Sequence, residues 1–161
     1  MSRGLNCMRG HKIAFCDTNI LIYGHDASAG AKHAVAARLL REVIVQDRCR
    51  LSPQVLQEFY INVTRKIARP MSEDEAAVAV SKYVHWATTA TDARDVQSAI
   101  VLARQRRMSL WDALIVVSAL KCDADVLWTE DLQHGASFGS LQVRNPFVDE
   151  SLARAGESGP A

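Results

Sequence analysis

The sequence predicts an α/β fold, a mostly parallel sheet with helices on both faces. Three observations predict it. Short apolar segments, Ile13–Cys16 and Val126–Thr129, are each followed by acidic residues, Asp17 after the first and Glu130-Asp131 after the second. Between them lie four helix starts marked by a capping side chain, at Ser52, Ser72, Asp92 and Ser109. Strands separated by helices are joined by crossovers, and crossovers make neighbouring strands parallel.

Taken in order, residues 1–11 are polar and irregular, with a second Met at position 8, and read as a flexible N-terminus. Ile13–Cys16 is a buried strand, and Asp17-Thr18-Asn19 after it is a helix-start or turn signal. Ala31–Val45 carries Ala and Leu at helical spacing. A weak second strand ends at Arg50–Leu51. Ser52-Pro53 opens a helix to about Ile67, with Pro at its first position and the stripe Val55, Leu56, Phe59, Tyr60, Val63 and Ile67. Pro70 breaks the chain. Ser72 with Glu75 is a capping box for a helix to about Trp86. Ala87–Thr91, rich in Thr, reads as a third strand. Asp92 caps a helix that ends at Arg104, Arg106 and Arg107, and Ser109 caps Leu110–Lys121. Val126–Thr129 is the fourth strand. Leu141–Arg144 is the fifth, stopped by Pro146. One domain over 12–148 follows, with a flexible tail over 149–161.

Composition narrows the function. Hydrophobic residues make up 48% and charged residues 23% of the 161, as in a globular protein. The run Ala113–Val117 is five residues long, against the roughly 20 that cross a bilayer, so no membrane role is expected. Ile13–Cys16 is too short for the core of a secretion signal. A formal net charge of +1 means that any contact with nucleic acid comes from a local patch. Cys7, Cys16, Cys49 and Cys122 lack Cys-x-x-Cys spacing and read as small apolar residues in a reducing cytoplasm. Cys7, His11 and Cys16 lack the fourth ligand of a zinc site.

Ligands of open α/β sheets bind beyond the carboxyl ends of the strands, where Asp17 and Asp131 fall. Each alone also suits a helix cap or an Asx-turn. Asp112 lies in a segment apolar nearly all round, Leu110–Val117, where a lone carboxylate is costly. The capping box from Ser109 explains it without chemistry. Glu58, Asn62, Arg65 and Arg69 fall at i, i+4, i+7 and i+11, a ridge that suits a cut site flanked by phosphate contacts, or an ordinary solvent face. Trp111 and Trp128 stand in apolar segments and are expected in the core before any stacking on bases. His134 is expected to be a turn residue.

Read together, four segments resemble the PIN-domain family, most closely the VapC-type toxin ribonucleases of bacteria. They are Phe15-Cys16-Asp17-Thr18-Asn19-Ile20-Leu21, Ser52-Pro53-Gln54-Val55-Leu56-Gln57-Glu58-Phe59, Leu110-Trp111-Asp112-Ala113-Leu114-Ile115 and Leu127-Trp128-Thr129-Glu130-Asp131-Leu132. The resemblance covers about Ile13 to Phe147. It implies a PIN-like three-layer fold with a five-stranded sheet of order 3-2-1-4-5. It also implies an acidic catalytic and metal site at Asp17, Glu58, Asp112 and Asp131. Asn19 and Thr129 would support that site, and Glu130 is an extra ligand or a substitute for Asp131. Asn62, Arg65, Arg69, Arg104, Arg106 and Arg107 are candidate substrate contacts.

The residue types fit that implication. Converging carboxylates repel unless a cation sits among them, and oxygen donors without His or Cys select Mg²⁺ or Mn²⁺. Such an ion activates water for phosphodiester hydrolysis. Competing classes lack their residues. A haloacid-dehalogenase-type enzyme needs Asp where Asn19 stands, a receiver domain needs a Lys near Arg144, and no glycine-rich phosphate loop is present. The expectation is a cytoplasmic metal-dependent endoribonuclease acting on RNA, the toxin of a toxin–antitoxin pair. A homodimer and a small DNA-binding antitoxin over the active site are implied by the resemblance. The alternatives are a non-toxin PIN nuclease in RNA processing, and a catalytically silent PIN module that binds nucleic acid or protein.

Overall fold

The computed structural model describes residues 12–149. Residues 1–11 and 150–161, expected as flexible ends, lie outside the described residues, as does Cys7. The described residues form five strands in the order β2-β1-β3-β5-β4. Strand β1 is Ala14–Cys16, β2 is Cys49–Arg50, β3 is Val126–Trp128, β4 is Ser137–Phe138 and β5 is Leu141–Arg144. All pairs are parallel except β4 with β5, a hairpin turning at Gly139, whose φ of 61° suits glycine. Every residue of β1 and β3 is buried. Successive side chains of a strand point to opposite faces, so both faces of the central sheet are covered.

The class is as expected, and the strand order is corrected at both edges. The segment 87–91 is not a strand. Leu51 N donates to Trp86 O at 2.9 Å, but β2 is two residues long and the chain turns into a helix at Pro53, so no ladder continues. The fifth strand is instead the β4 edge, which antiparallel pairing supplies.

Six α-helices cover the sheet among the described residues: α1 Thr18–His25, α2 Ala31–Val45, α3 Pro53–Arg65, α4 Glu73–Tyr83, α5 Ala93–Arg106 and α6 Leu110–Lys121. The expected caps form. Ser52 accepts from Val55 N, Ser72 and Glu75 make a reciprocal box, Asp92 and Asp95 make another, and Ser109 accepts from Asp112 N. Helix α3 ends at Arg65, short of Ile67, and α4 gives way to a 3₁₀ turn at Val84–Trp86. Helix α1, read from sequence only as a start or turn signal, packs closely on α2 at Gly24. A Cβ there would stand 2.5 Å from Leu40 Cδ1. Arg107, at φ 54°, closes α5 in the left-handed region. Lys121 of α6 reaches back to Asp95 at 2.6 Å and ties the two helices.

The core joins sheet and helices through fully buried Phe15, Ile20, Leu21, Val55, Phe59, Val63, Val116, Leu127 and Val143. Cys16 and Cys49 are free and buried. Their mutual hydrogen bond and burial push the Cys16 thiol well up, which keeps it protonated. Trp128 is 7% exposed, as expected, but Trp111 is 65% exposed. It sits in the first turn of α6, where the helix leaves the core that holds Ala113, Ile115 and Val116. Among the described residues no helix is long and apolar enough to cross a membrane.

Candidate active site

The chain leaves β1 toward β2 on one side, and β3 pairs with β1 on the other. Crossovers that run in opposite directions open a crevice at the carboxyl ends of the two strands. The register Cys16↔Trp128 places the next residues, Asp17 and Thr129, side by side at that crevice. Asp17 N donates to Trp128 O at 3.0 Å, the last rung of the ladder.

Asp17 is 5% exposed and caps α1 by accepting from Thr18 N at 2.7 Å. The sequence offered a cap and a site residue as alternatives, and one carboxylate has both positions. Its Oδ2 accepts from Thr129 Oγ1 at 2.7 Å and from Asn19 Nδ2 at 3.4 Å. Burial pushes the carboxyl up to about 7. The bonds from Thr129 and Thr18 pull it down, and the charges of Asp131 and Glu58 push it further up.

Asn19 Nδ2 also donates to Asp131 Oδ2 at 3.0 Å and to Thr129 Oγ1 at 3.2 Å. One amide nitrogen therefore stands between the Asp17 and Asp131 carboxylates. Asp131 is pushed up by partial burial, against the Asn19 bond, and then by the charges of Asp112, Glu130 and Glu58. Glu130 turns elsewhere. Tyr23 Oη donates to its Oε1 at 2.5 Å and Lys32 Nζ to its Oε2 at 2.7 Å, so both of its oxygens are engaged. That contact pushes the Lys32 ammonium up.

Glu58 is half-buried on α3, with each oxygen bonded. Thr18 Oγ1 donates to Oε2 at 2.8 Å and Gln54 Nε2 to Oε1 at 2.9 Å. Asp112, at the third position of α6, receives a 2.7 Å bond from Ser109 Oγ and returns one from its own N–H at 3.0 Å. It is partly exposed, so the costly buried charge expected of it is reduced. Asp131 thus feels the charges of both Glu58 and Asp112, and Asp17 feels those of Asp131 and Glu58. Among the described residues no three His, Cys, Asp or Glu side chains stand close enough to enclose an ion.

The basic ridge is not continuous. Asn62 turns its amide onto the Glu58 carbonyl at 2.7 Å. Arg65 is the last residue of α3, so Arg69 lies beyond the helix, beside a cleft with His25, Asp26, Ser28 and Met71. Arg106 packs over the Phe138 ring at 4.9 Å and donates to Ser137 O at 3.4 Å, anchoring β4. Arg104 is exposed on α5, and Arg107 is the exposed cap. His134 accepts from Asn145 N at 3.0 Å, the turn role expected of it. The residues that sequence reading passed over are Thr18, Tyr23, Lys32 and Gln54. Only Gln54, one turn before Glu58 on the same face, had a local signal.

A family model described as a PIN domain matches residues 14–135. No curated protein matches the chain. Among solved structures, the fold is similar to VapBC2 from Rickettsia felis bound to a DNA fragment from the promoter, with TM-score 0.56 and 16% identity over 83% of this chain and 98% of that one. It is also similar to FitAB bound to an IR36 DNA fragment, with TM-score 0.60 and 16% identity over 84% and 96%. A toxin–antitoxin complex from Klebsiella pneumoniae gives TM-score 0.55 and 21% identity over 83% and 97%.

Proposed function

Because the chain belongs to the PIN-domain family, we propose that it is a metal-dependent endoribonuclease that hydrolyses RNA phosphodiester bonds as the toxin of a toxin–antitoxin pair. The observation that carries this reading is the pair of Asp17 and Asp131 bridged by the Asn19 amide, with Glu58 of α3 repelling both and Asp112 of α6 repelling Asp131. Carboxylates that repel one another in this way are costly in a protein with no use for them.

The donor set fits a hard divalent cation. All four side chains offer oxygen, no His or Cys competes, and Mg²⁺ typically takes one or two carboxylates and keeps several waters, so no three-carboxylate cage is required. Asp17, Glu58, Asp112 and Asp131 would hold it, one or two directly and the others through the ion's waters. Once bound, such an ion lowers the pKa of its water and stabilises the leaving oxygen. Thr129 and Thr18 hold Asp17 toward its charged form, which is the form a cation needs. Thr18 and Gln54 fix both oxygens of Glu58.

The toxin reading is supported by the similarity of fold to the complexes from Rickettsia felis and Klebsiella pneumoniae. With it come a small DNA-binding antitoxin over the crevice, a homodimer and a cytoplasmic site of action. The test is hydrolysis of RNA with Mg²⁺ or Mn²⁺, with EDTA, and by Asp17→Asn. Activity confined to the wild type with metal supports the proposal. Full cleavage in metal-free buffer, or by Asp17→Asn, overturns it.

A further inference from the structure

A tryptophan left 65% exposed in the first turn of α6 gives up most of the apolar burial that usually fixes such a residue. Trp111 is the residue before Asp112, and its carbonyl accepts from Gln54 Nε2 at 3.5 Å. The same Gln54 nitrogen donates to Glu58. Trp111 thus flanks the carboxylate crevice and is tied to it by a shared amide. It also lines a cleft of about 430 Å³ with Pro53, Gln54, Gln57, Ala90, Thr91 and Leu114. That size lies within the range of small-ligand sites. One wall is aromatic. The Gln57 and Thr91 side chains, both exposed, make no hydrogen bond to another described residue.

A flat aromatic face beside unpaired amide and hydroxyl groups suits a flat ring with polar edges. Apolar wall and polar rim together favour a heterocycle over an aliphatic side chain. We propose that this cleft is a nucleobase subsite. Trp111 stacks on one base of the single-stranded substrate, Gln57 and Thr91 meet its edge, and the adjoining phosphodiester is thereby set over the crevice. The proposal rests on the nuclease reading above. It gives that site a base contact outside the acidic cluster. Trp111 is then a positioning residue for the substrate.

The experiment measures binding of a labelled single-stranded oligoribonucleotide by fluorescence anisotropy in EDTA. A series of the same oligomer carries one abasic nucleotide at each position in turn. Cleavage of the unmodified oligomer in Mn²⁺ is measured alongside. Stacking on one base is worth roughly a 5- to 150-fold change in affinity. Trp111→Ala should lose that factor, Trp111→Phe should keep most of it, and the salt dependence should not move. In the wild type, base removal should weaken binding at one position only, and there it should cost Trp111→Ala nothing further. If the wild type cleaves while Trp111→Ala binds as tightly, the subsite is overturned and the nuclease reading stands. A flat abasic scan of the wild type overturns it even where Trp111→Ala does not fold. A wild type that neither binds nor cleaves removes both readings.

Discussion

Thr129 Oγ1 donates a 2.7 Å hydrogen bond to Asp17 Oδ2, across 112 positions of sequence and from one central strand end to its neighbour. The bond is buried and pulls the Asp17 carboxyl down against the burial that pushes it up. Thr129 Oγ1 also accepts from Asn19 and from Asp131 N at 3.1 Å, so one hydroxyl organises both acidic loops.

Thr129→Val keeps the shape and removes the hydroxyl. The lost bond serves the ionised form of Asp17, so the penalty should grow with pH. We expect a loss of about 1–3 kcal/mol at pH 8 and a smaller one at pH 5, where Asp17 is protonated. Urea denaturation at both values measures this. Equal losses would mean that the hydroxyl serves packing alone.

Asp17 titrates at about 7 in the folded chain. A carboxylate with a raised folded pKa binds more protons folded than unfolded. The stability tied to that proton is fully present below about 4, is lost as pH rises through 7, and stays lost above it. Without metal, the wild type should lose roughly 4 kcal/mol across that window, an order-of-magnitude figure set by the shift. Asp17→Asn keeps a capping oxygen and should show a flatter profile, a higher melting temperature at pH 8, and no RNA cleavage. A profile as steep as the wild type's would place the titration elsewhere.

Mn²⁺ should raise the melting temperature of the wild type once its concentration passes the dissociation constant. Asp131→Asn should weaken that response. Glu130→Gln should not, because the Glu130 carboxylate is already neutralised by the Lys32 ammonium at 2.7 Å, whereas Glu58 is bonded only to uncharged Thr18 and Gln54. Thermal melts of the three proteins against Mn²⁺ apportion the two acids. A lost response in Glu130→Gln alone would reverse the assignment.

Arg65→Glu and Arg69→Glu test the broken ridge. If each touches a phosphate, each change should flatten the dependence of log K on log salt by roughly 0.7 for single-stranded RNA. Anisotropy titrations at several salt concentrations read the slope. Because Arg69 lies beyond α3, Arg65→Glu alone is expected to leave the Arg69 effect intact.

What sequence alone determined were the features written in neighbouring residues. Ser52, Ser72, Asp92 and Ser109 announce their helices because a cap closes within three residues, before any tertiary contact exists. The alternation of apolar segments with these helices set the parallel class, and the strand ends pointed to Asp17 and Asp131. Helix α1 escaped because Ile20-Leu21-Ile22-Tyr23 is apolar on every side and eight residues are too few to show a period. Strands of two residues carry no alternation, so the edges of the sheet, 87–91 and β4, were decided by which backbone groups found partners. Tertiary structure alone decided which polar groups meet. Nothing local to Lys32 or Tyr23 says that they draw Glu130 away, nor does Thr18 announce Glu58. The apolar run at Leu110–Val117 gave no sign that Trp111 stands in water, because burial depends on what packs against a turn of helix, and at the start of α6 the core has ended.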